Sequence, residues 1–339
     1  MSNQETIRLS HGSGGRATNE LLREVILPIL GPSAGHGLDA ALMDLSLQEG
    51  QKLAITTDGF VIQPIEFPGG DIGKLAVCGT LNDLAVMGAC PVALALGIIL
   101  EEGLPLKVLE RILRSIALEA ERNGVRVVTG DTKVVRKGEA DRIFVTTTGI
   151  GVQSQVWNLH PQRIVKGDRI LVSGTIAEHG AAILAARESF GLEGALASDC
   201  ACLWPLIERL DRFAESIRFM RDPTRGGLAA VLHEAFEGTA QGAEIREDQL
   251  PIRREVAAFS EVLGIEPLYL ASEGRVVLVT DGAASRAILE EIRQSPLGRD
   301  AAEIGTVTVA QAERIVLKNP YGSGRFLMNP AEEQLPRIC

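Results

Sequence analysis

The strongest constraint on the fold is an alternation of two periodicities that runs twice along the chain. Apolar runs rich in Val, Ile and Thr (Leu53 to Thr57, Val92 to Leu100, Val125 to Thr129, Ile143 to Gly149) alternate with helical patterns, as in an α/β or α+β architecture. The helical pattern is clearest over Leu106 to Asn123. There Leu106, Leu109, Leu113, Ile116, Ala117 and Ala120 form one apolar stripe, while Lys107, Glu110, Arg111, Arg114 and Glu121 face away. Pro105 suits its first turn and Gly124 its end. Another helix is expected from Asp71 to Gly88. After the polar stretch His160 to Arg163 the alternation restarts. It gives a strand Ile170 to Ser173, helices near 178–190 and 225–237, a strand Val276 to Thr280, a helix over 284–294, and strands near 303–309 and 314–317. A boundary at 155–165 divides the chain into an N-terminal domain, 1–158, and a C-terminal α+β domain, 159–318. At about 150 residues per domain, 339 residues fit that division. From Asn319 the pattern fades into Pro320, Gly322, Gly324, Pro330 and Pro336, which reads as a flexible surface tail over 319–339.

With 45% hydrophobic and 23% charged residues the chain can bury sizeable cores, and with only 4% aromatics those cores must be aliphatic. A net charge of −10 argues against nucleic acid held by bulk charge. The first ten residues carry no apolar leader, and the longest apolar stretch, Val92 to Leu100, is about half a membrane span. A cytoplasmic protein with no membrane partner is expected. The five cysteines, Cys78, Cys90, Cys200, Cys202 and Cys339, fit neither a disulfide framework nor a paired zinc knuckle.

Neither a Walker A loop nor a GxGxxG turn is present. The HGSGG segment, His11 to Gly15, can wrap phosphate with backbone N–H groups, and is equally a flexible turn. Asp58 ends a strand, Asp131 sits in a glycine-led turn after another, and Asn82-Asp83 lies on a helix with mostly apolar faces. Three acids converging at element ends would make a Mg²⁺ and triphosphate platform; singly, each is a turn or cap residue. Lys133 offers a point charge to phosphate, or is a solvated loop lysine. The run Arg221-Asp222-Pro223-Thr224-Arg225-Gly226-Gly227 precedes a helix and suits an anion, although Asp222 and Thr224 also serve as helix caps. Glu273, in Ser272-Glu273-Gly274, is either a base or a turn residue, and His179 and His233 look helical and isolated.

Taken in order, HGSGG, TTDG, FPGGDIGKLAVCGTLNDLAVMGA, LEEGLP, TGDTKVV, VSGTIAEHG, RDPTRGG, ASEG and the terminal PRIC resemble the HypE family of hydrogenase maturation factors, which make the cyanide ligands of nickel-iron hydrogenases. The resemblance spans His11 to Cys339. It implies two α+β domains like those of aminoimidazole ribonucleotide synthetase, N-terminal domains paired in a homodimer, and ATP near the dimer interface. It further implies Asp58, Asp83 and Asp131 as Mg²⁺ and phosphate-side ligands with Asn82 assisting, and Lys133 and Glu273 in the catalytic region. Asp222, Thr224, Arg225, Gly226 and Gly227 would lie beside the nucleotide, with Gly12, Gly14, Gly15 and Thr132 in the same set. Arg275 departs from the Lys common after EG and leaves that contact's geometry open.

The activity so implied is ATP-dependent dehydration of a thiocarbamate on Cys339 to a thiocyanate. The implied partners are the carbamoyltransferase HypF, which loads Cys339, and the HypC–HypD pair, which takes the cyanide. Rival readings are a selenophosphate-synthetase-like or ribonucleotide-cyclising enzyme, and an inactive carrier or scaffold. The absence of Cys from His11 to Gly15 weakens the selenide option.

Overall fold

The computed structural model describes residues 6–13, 15–31, 40–188, 196–329 and 337–338. The N-terminal half contains helices α1 (Arg16–Leu21) and α2 (Leu27–Leu30), strand β1 (Lys52–Phe60), a small ladder of β2 (Glu66–Phe67) and β3 (Gly70–Asp71), helix α3 (Ile72–Val86), strand β4 (Ala89–Glu101), helix α4 (Leu106–Arg122), and strands β5 (Arg126–Val135) and β6 (Ile143–Gln153). Its main sheet has the order β1-β6-β4-β5, with β4–β5 parallel and the other pairs antiparallel.

α3 starts where Asp71 accepts a hydrogen bond from the Lys74 N–H at 2.9 Å, an N-cap that satisfies one orphan donor of the first turn. The helix has apolar or small residues on nearly every side and is buried on nearly every side, including Ile72, Leu75, Ala76, Cys78, Leu81 and Ala85. α4 buries Leu109, Leu113, Ile116 and Ala120 of the stripe read from its periodicity and adds Val108, Ile112 and Glu119, while Leu106 and Ala117 are only partly buried.

In the C-terminal half lie strand β7 (Arg169–Val172), helices α5 (Glu178–Glu188) and α6 (Trp204–Ile207), strand β8 (Ile217–Arg221), helix α7 (Gly227–Phe236), strand β9 (Gly242–Arg246), helix α8 (Arg254–Leu263), strand β10 (Val277–Thr280), helix α9 (Ser285–Arg293), and strands β11 (Ala302–Thr308), β12 (Ile315–Lys318) and β13 (Gly324–Leu327). Seven strands form one sheet in the order β13-β12-β9-β11-β7-β10-β8. The reading of a tail from 319 is corrected at its start: β13 pairs antiparallel with β12, Ile315 opposite Leu327, and Leu327 is buried. The chain therefore stays on the sheet for one more hairpin.

The two halves meet along α3. The core beneath the first sheet includes Ile183, Cys200, Cys202, Ala271 and Ile338 from the second half, and Ala85 and Val86 of α3 belong to a core with Leu203, Leu206 and Leu210. Among the described residues no helix is long and apolar enough to cross a membrane.

Candidate functional site

A cavity of about 280 Å³ opens between the halves, lined by Asp58 and Asp83 from one side and by Asp222, Thr224, Arg225 and Glu273 from the other. Asp58 sits near the end of β1 opposite Thr147, on the sheet face that packs against α3. Asp83 comes from the last turn of α3, where Thr56 Oγ1 donates to its Oδ2 at 2.6 Å. Burial and the neighbouring Asp83 push the Asp58 carboxyl up to about 6. Asp222, directly after β8, is pushed up to about 7 by burial and then by Asp83. Glu273 is 1% exposed and raised well above the carboxylate range, chiefly by burial, with Asp222, Asp199, Asp58 and Asp83 adding repulsion. Its Oε1 has no hydrogen-bond partner among the described residues. Unpaired buried carboxyl oxygens are costly, so this acid-lined cavity is built to receive positive charge or hydrogen-bond donors. Hard oxygen ligands on Asp58 and Asp83 match the donor set Mg²⁺ takes beside phosphate.

Gly226 and Gly227 have structural reasons to be glycine. Gly226 caps α7 with φ +73°. A Cβ on Gly227, at φ +60°, would lie 2.6 Å from the carbonyl oxygens of Leu268 and Leu270. The pair lets the Asp222–Arg225 turn press onto the Leu268–Ser272 segment leading to Glu273; Ser272 N–H donates to Pro223 O at 2.8 Å.

Asn82 is brought to the site but not into the cavity. Its amide nitrogen donates to Ala201 O and Glu273 O, each at 3.0 Å, and its oxygen accepts from Leu203 N–H at 2.7 Å. With its amide engaged in these three bonds it fastens α3 to the 196–203 loop and to Glu273, and a part in holding Mg²⁺ is replaced by a part in holding Glu273.

Asp131 and Lys133 are not brought to this cavity within one chain. Asp58 lines up across β6 and β4 with Gly130, three strand spacings or about 14 Å away. Asp131 pairs with Gly97 and Lys133 with Ile99, which places both on the opposite face of the sheet from Asp58. There Lys133 Nζ lies 2.9 Å from Asp131 Oδ2, both side chains exposed. Gly12 packs on the same strand: a Cβ on it would lie 2.5 Å from Val134 N. The expected nucleotide-binding residues thus do not form one cluster: Gly12, Asp131 and Lys133 gather at β5, apart from the Asp58–Glu273 cavity, while Thr132, paired with Ile98, alternates to the other face of β5. Gly14 and Cys339 lie outside the described residues.

Three features escape sequence reasoning. Asp199, wholly buried and pushed up to about 6 by burial, accepts from Glu273 N–H at 3.1 Å and lies 3.5 Å from Arg275 Nε. Arg275 also meets Glu178 at 3.1 Å, which settles the geometry that its replacement of Lys left open. Cys78 and Cys202 approach to 3.3 Å, and buried Cys200 stands beside them, its thiol pushed up by Cys78 and by burial. His179 is not isolated: its Nδ1 bonds Ser198 Oγ at 2.7 Å and its Nε2 bonds the Ile338 carbonyl at 2.6 Å. Mostly pairings between residues far apart in the chain reveal these, and no local motif signals them.

Known proteins match this arrangement throughout. The family model for the AIR synthase related protein N-terminal domain matches residues 37–153, and that for the C-terminal domain matches 165–318. The carbamoyl dehydratase HypE of Rhodobacter capsulatus is 45% identical over 336 residues, covering 99% of this chain and 98% of that one. A crystal structure of the hydrogenase maturation protein HypE in complex with ATP superposes with a TM-score of 0.92 at 40% identity, over 98% of this chain and 99% of that one. The structure of a HypE–HypF complex gives 0.80 at 42% identity, over 84% and 92%. Sharing both domain models and this degree of identity from end to end, the chain belongs to the HypE family within the AIR synthase related proteins.

Proposed function

We propose that the chain is an ATP-dependent carbamoyl dehydratase that converts S-carbamoyl-Cys339 to S-cyano-Cys339, acting in the cytoplasm to supply cyanide for nickel-iron hydrogenase maturation. The observation that carries this reading is the buried Glu273 carboxyl, one oxygen unpartnered, facing a cavity that also presents Asp58 and Asp83. The thiocarbamate oxygen attacks the γ-phosphorus of ATP, ADP leaves, and nitrogen loses one proton. Loss of the second N–H proton with expulsion of phosphate leaves S–C≡N. Glu273 is the group in reach to take a proton there, and its raised pKa makes it a strong base once ionised. When bound at Asp58 and Asp83, Mg²⁺ would neutralise the phosphate charge. Those two acids then repel Glu273 less, and its carboxyl ionises more readily.

Asp131 and Lys133 join the nucleotide only if a second copy supplies them. Their sheet face carries exposed Leu53, Ile55 and Ile99, a surface that fits a homodimer. The partners proposed are HypF for loading, in keeping with the HypE–HypF complex known for a relative, and HypC–HypD for delivery.

The test is the mass of the peptide ending in Cys339 after incubation with HypF, carbamoyl phosphate and ATP. Gains of about 43 and then about 25 Da relative to the free thiol are expected from the group formulae. Recovery of the label on Cys78, Cys90, Cys200 or Cys202, with Cys339→Ala still active, refutes the reading.

A further inference from the structure

Residues 337–338, although separated by most of the second half from the elements they touch, are held at both of their carbonyls. The Arg337 carbonyl accepts from Gln63 N–H at 3.2 Å and from the Arg187 guanidinium. Arg337 itself, in the left-handed region at φ +60°, reaches Val61 O at 3.0 Å and Asp141 at 2.7 Å. The Ile338 side chain is 2% exposed within the core beneath the first sheet. Its carbonyl meets His179 Nε2, which must therefore carry the proton; Nδ1 then accepts from Ser198 O–H, and Ser198 Oγ accepts from Cys200 N–H at 3.1 Å. Burial holds this imidazole neutral, lowering it to about 4, so both roles persist across the physiological range.

The loop that completes this chain of bonds is also the one that holds Glu273. Asp199 Oδ1 accepts from Glu273 N–H, and Asn82 ties Ala201 O to Glu273 O. The loop is pinned to the first half as well: Ser198 N–H donates to Pro68 O at 2.8 Å. A Cβ on Gly69, at φ +98°, would lie 2.6 Å from Ser198 O. One rigid segment, 198–203, therefore carries the anchor for Ile338 on one side and the anchor for the catalytic carboxyl on the other.

We propose that His179, oriented by Ser198, is a positioning residue that docks the Ile338 carbonyl and so shortens the search of a group carried on Cys339 for Glu273. A docked Ile338 removes search entropy from a group carried just beyond it, the condition under which intramolecular reactions gain most. The proposal rests on the carrier reading of Cys339, and the test separates the two.

The readout is the alkylation rate of Cys339 by iodoacetamide in the full-length, unloaded protein, followed by mass on the peptide released by cleavage at Glu333. Losing a buried hydrogen bond to the dock should raise that rate roughly tenfold in His179→Leu. His179→Gln, which keeps an N–H of similar reach, should restore it to within about twofold. Arg337→Ala, at a half-exposed position, should also raise it, and stands as the deciding variant if His179→Leu fails to fold. Single-turnover thiocyanate formation should slow in step with the labelling, with Mg-ATP affinity and HypF loading preserved. Unchanged labelling in His179→Leu and Arg337→Ala overturns the dock, whatever Cys339 carries. Faster labelling in a chain that never acquires a carbamoyl group upholds the dock and removes only the carrier reading.

Discussion

Replacing Asn82 by Ala should weaken the fold at the junction of the two halves while leaving Asp58 and Asp83 in place. The Asn82 side chain supplies two donors, at 3.0 Å each, and one acceptor, at 2.7 Å. It is fully buried, so no water replaces them at once. At about 1 kcal/mol net for each hydrogen bond the loss is about 3 kcal/mol, rising toward about 5 because the abandoned groups of Glu273 and Leu203 remain buried. The assay is urea denaturation of the free protein, in which the midpoint should fall with little change in slope, alongside calorimetry of Mg-ATP binding. Asn82→Asp should be as harmful, since it sets a carboxylate against two carbonyl oxygens. A variant with unaltered stability and abolished Mg-ATP affinity would falsify the argument and return Asn82 to the nucleotide.

In the cation-free protein Asp58 and Asp222, at about 6 and about 7, lie above the unfolded value of about 3.9. The folded state thus binds more protons; the stability these groups contribute is complete below about pH 4 and is lost as pH rises through 6 to 7. Mg²⁺ should accordingly raise the melting temperature more at pH 8 than at pH 5, and an equal rise at both would rule this electrostatic account out. Glu273→Gln resembles the protonated carboxyl already favoured by burial, so it should fold and bind Mg-ATP normally while thiocyanate formation falls about 10²- to 10⁴-fold in single-turnover mass spectrometry. Gly227→Ala forces a Cβ to within 2.6 Å of two carbonyls at a positive φ and should lower the denaturation midpoint by an amount matching at least about 2 kcal/mol; a neutral result would mean the turn relaxes freely.

Much of the architecture was legible because burial imposes a period. α4 ends within a residue of where its pattern stops, although its buried face is wider than the stripe and takes in Val108 and Ile112, and α3 ends beside Gly88, whose φ is +69°. β13 was not legible: Gly324, Arg325 and Phe326 are exposed and only Leu327 is buried, so no alternation marks it. α8 does bury Val256 and Phe259 and its pattern was open to reading. At the site, Asp58 and Asp83 stood out from their chemistry, since acids at element ends need partners, whereas Asp222 and Glu273 joined them only through the family resemblance. Asp131 shows the limit. Whether a strand residue faces the same side as another depends on register across two intervening strands, a relation set by pairing rather than by either segment. His179 shows another, because its partner enters from the far end of the chain.

The sharing of α3 by two cores has a mechanical consequence. A cleft enzyme ordinarily captures its substrate by swinging one lobe toward the other. Here the helix that supplies Asp83 is buried on nearly every side, belongs to both cores through Cys78 and Ala85, and is bolted across the junction by Asn82. Swinging the lobes would tear open apolar contacts on both sides of that helix, a cost on the order of unfolding a domain. The walls are consequently static, and whatever reacts in this cavity has to enter a site whose shape is set before it arrives.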